Sequence, residues 1–147
     1  MNFRPPEIWL VSGPDREQRH ALARRIGVAV EHAAHVDGEA LWDQLVEGRA
    51  DPQVDEAEAD RQYELAIRNQ CLLARSYAEA GFTPVLDFPV ATPYHLEAYQ
   101  NYLIGARLRL VQVSPPADLA EMGITVTIDE PVDAILARAE DTLVRRA

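Results

Sequence analysis

The sequence contains no lysine: all fourteen basic residues are arginine, against twenty-four carboxylates, for a formal net charge of −10. That balance excludes a nucleic-acid partner held through a broad basic surface, and any reaction that needs a lysine amine is excluded with it. There is one cysteine, Cys71, so no intramolecular disulfide can form. It falls among Ile67, Leu72, Leu73 and Ala74 in a strongly helical stretch and reads as a small buried apolar residue. Long apolar runs are missing too. The first, Ile8 to Val11, is far too short for a signal peptide or a membrane span, so a cytoplasmic protein with no membrane partner is expected. The four histidines, His20, His32, His35 and His95, are scattered without zinc-ligand spacing, and a metal centre of the Cys/His kind is not expected.

What is there is ordinary for a globular chain. Of 147 residues, 48% are hydrophobic and 26% charged. A chain of that length fits one domain, 1–147, and buries roughly two thirds of the surface its unfolded form exposes. The charge is uneven. Ten carboxylates lie between Asp37 and Glu64 against only Arg49 and Arg61, whereas Arg16, Arg19, Arg24 and Arg25 cluster within ten residues.

Strands and helices alternate along the chain. Glu7 to Ser12 is a buried strand ended by Gly13-Pro14, and Leu22, Ala23 and Ile26 carry a helix from Arg16 to Val28. A short strand at Ala33 to Val36 closes at Asp37-Gly38, and Leu41, Trp42, Leu45 and Val46 share a face of a helix from Glu39 to Val46. The longest helix runs from Glu56 to Ala80 and Gly81 ends it. Phe82 to Phe88 gives a third strand, Pro93 starts a helix to about Ile104, and Arg107 to Val113 a fourth strand. Ile124 to Ile128 is a fifth strand, and Pro131 opens a terminal helix through Leu143. This alternation predicts an α/β protein, a three-layer α/β/α sandwich around a mainly parallel five-stranded sheet. Ligands of such sheets bind at the carboxyl ends of the strands, where Gly13 to His20, Asp37 and Asp87 gather.

The segment from Val11 to Ala23, with Gly13-Pro14 at its turn, resembles the phosphate-binding segment of P-loop small-molecule kinases: strand, Gly-Pro-x-x-x-Gly-Lys-Ser/Thr, helix. Gly13 matches the first glycine, but Gln18 stands at the second, Arg19 at the lysine and His20 at the hydroxyl residue. Gln18 restricts the backbone that should close around phosphate oxygens, Arg19 keeps charge but not shape, and His20 is a poor magnesium ligand. Arg16 adds a cation inside the loop, able to bind an anion or to fill its place. His35 to Trp42 is similar to the segment after the second strand of the chloramphenicol phosphotransferase-like group, which implies Asp37 as a base facing a substrate hydroxyl. Tyr77 to Asp87 looks like the helix, glycine and strand that carry the Walker B-like aspartate, which implies Asp87 as an outer-sphere contact of Mg²⁺. The arginine-bearing lid of these kinases has no counterpart, since Ser114 to Met122 contains no arginine.

The resemblance therefore implies a P-loop kinase fold with a degenerate Walker A loop and no lid. Losing loop glycine, lysine, hydroxyl and lid together removes most of the charge stabilisation on which phosphoryl transfer depends. A non-catalytic, pseudo-kinase binding or regulatory protein is the first expectation. The alternative is an ATP-dependent phosphotransferase using Arg19 on the phosphates, Asp87 for Mg²⁺ and Asp37 as base. A small molecule or nucleotide is the ligand class in either case, and a protein partner or homodimer stays open. Asp37 and Asp87 also read as strand-end carboxylates that Arg16 and Arg19 neutralise where phosphate and Mg²⁺ would sit.

Overall fold

The computed structural model describes residues 5–140 and 142–144; residues 1–4, 141 and 145–147 of the expected 1–147 domain lie outside the described residues. The first apolar run forms β1 (Glu7–Ser12), and Gly13-Pro14 turn the chain at once into α1 (Arg16–Ala29). β2 (Ala33–Asp37) leads directly into a five-residue helix, α2 (Gly38–Trp42), and a polar loop precedes α3 (Glu56–Glu79). β3 (Thr83–Asp87), α4 (Pro93–Tyr102), β4 (Arg107–Gln112), β5 (Ile124–Thr125) and α5 (Val132–Glu140) follow. Asp15, Asp37, Asp55 and Thr92 each cap the helix they precede, their side-chain oxygens accepting from backbone amides of the first turn.

The strand order is β2-β3-β1-β4-β5, with every pairing parallel. Because side chains alternate across a strand, residue parity splits the interior into two cores. Trp9, Val11, Val85 and Val111 face α1 and α5, whereas Ile8, Leu10, Leu86 and Leu110 face α3 and α4. The result is the expected three-layer α/β/α arrangement. Each fully buried Val, Leu or Ile contributes about 1.5–3 kcal/mol. Those two apolar layers therefore hold the sheet.

Four element ends depart from the sequence expectation by two residues or more, and at each a specific group intervenes. The helix expected over 39–46 stops at Trp42: the Arg49 guanidinium lies over the Trp42 ring and donates to the Trp42 carbonyl, an acceptor that another turn would have used. Val46, expected on the inner face, is exposed. β5 holds two residues rather than five, because its partner β4 ends at Gln112, whose carbonyl takes the last ladder bond from Val126. The terminal helix ends at Glu140 rather than Leu143, where Arg109 donates to the carbonyls of Ala139 and Glu140. α4 ends at Tyr102, short of Ile104, with Arg75 donating to the carbonyls of both residues. Between β4 and β5 lies one 3-10 turn, Ala117–Leu119.

Candidate functional site

The site is built where β1, β2 and β3 end. After Ser12 the connection to α1 is three residues long, Gly13, Pro14 and Asp15. A Cβ on Gly13 would lie 3.3 Å from both the side chain and the carbonyl of Val113, so this glycine permits close packing of the loop on the end of β4. Asp15 then turns its carboxylate onto the helix it precedes, accepting from the Gln18 amide at 2.9 Å. A negative charge thus already occupies the helix N-terminus, the position at which an external anion would otherwise find free amides.

Strand register sets the electrostatics. Asp37 and Asp87 are direct neighbours across β2 and β3, both on the face toward α1, so two carboxylates end up side by side. Asp87 has no exposed surface. Like charges at this spacing require cations, and α1 supplies them from its first turns. Arg19, also fully buried, donates from Nε to Asp87 Oδ1 at 3.1 Å, from Nη1 to the Gly13 carbonyl at 2.7 Å, and from Nη2 to Glu39. Arg16, half exposed, lies 3.3 Å from Asp43, 3.4 Å from Glu39 and 3.8 Å from Asp37. Its own desolvation lowers the Arg16 pKa, but the Glu39, Asp37 and Asp43 carboxylates outweigh that and raise it. Gln18, by contrast, is exposed and points no group into the cluster.

Two histidines complete the arrangement. His35 Nε2 is hydrogen-bonded to the second Asp87 oxygen, Oδ2, and its side chain is almost wholly buried. His20 Nδ1 lies 3.6 Å from Asp37 Oδ2, and its ring centroid is 4.7 Å from that of His35. One donor atom each from His20, His35 and Asp87 falls within 4.8 Å of the others. The expectation that the histidines are scattered is therefore corrected. Positions 20 and 35 are far apart in sequence, yet β2 lies under α1 and brings their rings together. His32 and His95 lie elsewhere.

Several residues of this edge had not been singled out from the sequence. Glu39 takes Arg19 and Arg16 together. Gln70 of α3, fully buried, donates to the carbonyls of Val36 and Asp87 and accepts from the Tyr99 hydroxyl, bracing β2 against β3 from below. Its signal was present: Gln70 sits amid the buried run Ala66, Ile67, Cys71 and Ala74, and a polar side chain on such a face needs partners. Gly38 has no room for a Cβ, which would come within 2.6–2.8 Å of Phe88. Tyr63 stacks on Phe88 and donates to the Pro89 carbonyl, and burial raises its pKa, with Arg19 opposing and Glu39 adding to the shift. Trp42 packs on the same aromatic group.

Three cavities open around this edge of the sheet among the described residues. One, of about 290 Å³, is lined by prolines 14, 89, 115 and 116 with Val90 and Val113. Another, of about 410 Å³, lies between α4 and the 3-10 turn and carries the carboxylates of Glu97 and Asp118. No arginine lines these two, whereas Arg25 lines a third, of about 300 Å³, beside Glu17 and Gln18 at the first turns of α1.

No family model matches this sequence, and none of the curated proteins searched matches it. Solved structures do match. The chain is similar to a variant of the APS kinase CysC of Mycobacterium tuberculosis, with 14% identity, a TM-score of 0.66, and coverage of 94% of this chain and 100% of that one. A sugar kinase from Janibacter matches at 12% identity and TM-score 0.62, with 92% of each chain covered. The tunicamycin resistance protein of Deinococcus radiodurans matches at 14% identity and TM-score 0.62, covering 96% of this chain and 99% of that one. The likeness establishes the fold of this chain as that of P-loop kinases. At such identities it carries no activity with it.

Proposed function

We propose that this protein keeps the P-loop kinase architecture without phosphoryl transfer, and works as a binding or regulatory protein whose phosphate site is filled by its own side chains. The observation that carries the reading is Arg19. It stands where the phosphate-binding lysine of the related motif would stand, yet it is buried and committed to Asp87, Glu39 and the Gly13 carbonyl. In a working loop the backbone amides face the phosphate; at Gly13 a carbonyl faces inward onto a guanidinium instead.

Magnitudes weigh against nucleotide binding. Withdrawing Arg19 to serve a phosphate leaves the buried Asp87 with His35 alone, a loss of up to about 3–5 kcal/mol. A millimolar ligand supplies only about 4 kcal/mol in total. Asp15 on the helix N-terminus adds repulsion, and the β4–β5 connection brings no arginine to close over a triphosphate. The residues present therefore do not fit Mg²⁺-ATP, and Asp37, bound to Arg16 and capping α2, is not poised as a base.

Titration calorimetry with ATP and Mg²⁺ tests this. We expect no saturable heat up to millimolar nucleotide. Magnesium-dependent, saturable binding would overturn the reading in favour of an atypical phosphotransferase.

A further inference from the structure

We infer that His20, His35 and Asp87 form a binding site for a transition-metal dication of the Zn²⁺ class. The inference does not depend on whether nucleotide binds.

Three elements converge to make the site: α1 gives His20, β2 gives His35 and β3 gives Asp87. The donor set is two imidazoles and one carboxylate. Imidazole nitrogen suits zinc, copper, nickel and iron, whereas magnesium takes oxygen ligands and leaves such a site alone. Three protein donors with a further position for solvent or a small ligand is the pattern of open zinc sites. Two of the donors are held rigidly: Asp87 has no exposed surface and His35 only 7% of its side chain. His20 is the accessible one, with 41% of its side chain exposed, which gives an ion a way in.

The surroundings supply what a metal site needs beyond its ligands. Asp87 is oriented through its other oxygen by Arg19, and Asp37 Oδ2 beside His20 Nδ1 is the carboxylate placed to hold that imidazole. Charge points the same way. Asp37, Glu39, Asp43 and Asp87 contribute four negative charges and Arg16, Arg19 and Arg49 three positive ones, so the carboxylates outnumber the arginines by one. That surplus favours a cation at the histidine end of the cluster, where none of the arginines has to be displaced. Donors bound to one zinc at about 2.0–2.1 Å sit roughly 3.3 Å apart. His20 therefore moves inward to complete the set when the ion binds.

The test uses tag-free, chelator-treated protein. Zn²⁺ titration by calorimetry is expected to give one equivalent per chain, unaffected by millimolar Mg²⁺, and Co²⁺ is expected to show the visible spectrum of a nitrogen- and oxygen-ligated four-coordinate ion. Asp37→Asn, which keeps the α2 cap, is expected to weaken binding about 10-fold, as loss of an outer partner does. His20→Ala and His35→Ala are each expected to weaken it further, while His32→Ala and His95→Ala leave it unchanged. His20 is exposed enough that its variant keeps the fold, checked by circular dichroism. Absence of saturable Zn²⁺ binding would overturn the proposal. So would binding that persists in the folded His20→Ala variant, since the ion would then sit on surface carboxylates.

Discussion

Arg19 and Arg109 are both buried arginines, and the groups around them differ in kind. Arg109 lies in the first half of β4, under the end of α5. It pairs with Glu7, lies over the Trp9 ring and donates to the carbonyls of Ala139 and Glu140. One positive charge meets one carboxylate and the negative end of a helix, and nothing is left over. Arg19 meets Asp87 and Glu39, with Asp37 and Asp43 close behind, where Arg16 and, at Asp43, Arg49 share the load. The first arrangement fastens a helix to a sheet. The second carries more charge than fastening requires, and it lies at the edge where sheets of this kind bind ligands.

The largest test of that contrast is Arg19→Met. It strands the fully buried Asp87 and is expected to destabilise the fold by about 3–5 kcal/mol. For a chain of this size that lowers Tm by about 10 °C. Adding Asp87→Asn is expected to recover much of the loss, because a buried pair replaced on both sides is often nearly neutral. Cys71 gives a second readout. Burial pushes its thiol up to about 12, with Arg75 opposing, so a thiol reagent reaches it only when α3 opens. Arg19→Met is expected to accelerate its labelling. If melting and labelling were both unchanged, the pairing of Arg19 with Asp87 would be irrelevant to the native state.

Arg109→Met is expected to have a smaller effect, about 2–3 kcal/mol, set by charged hydrogen bonds lost to carbonyls that water can partly reach. Glu7, 30% exposed, can hydrate once its partner is gone. The loss is expected to be additive with Asp87→Asn within about 0.5 kcal/mol, since the two sites share no partner. Thermal melts of the single and double variants decide it. A loss greater than that of Arg19→Met would reverse the comparison.

The sequence carried the sheet further than it carried the site. Apolar runs such as Ile8–Val11 and the glycine-proline punctuation located the strands to within a residue or two, because burial on both faces of a parallel sheet leaves a continuous signal. Where it misled, at α2, β5 and α5, an arginine or a partner strand's end decided the boundary, and neither is visible locally. At the site, the mismatch between Arg19 and the lysine of the related motif was plain. Along the chain His35 is only one of four scattered histidines, and it is the register of β2 on β3 that brings it to Asp87. The approach of His20 to His35 needed the packing of α1 on that sheet, which spacing along the chain does not encode.

The gentlest probe of the two arginine networks is a pH dependence belonging to neither. His95, on the first turn of α4 against Tyr63, has its pKa lowered by burial, with Asp60 and Glu64 partly opposing. In the unfolded chain its imidazole binds a proton as pH falls through about 6.5, while the folded state resists. The unfolded state then holds more protons, so this contribution is complete above that pH and is lost as pH falls toward the depressed folded value. Melts between pH 7.5 and 5.5 are expected to decline less steeply in His95→Gln than in the parent protein. Since His95 contacts neither Arg19 nor Arg109, that difference is expected to be the same in Arg19→Met and Arg109→Met backgrounds. If it changed only beside Arg19→Met, the carboxyl-edge cluster would extend through Tyr63 into α4, and the line drawn between the two buried arginines would have to enclose a larger region on one side.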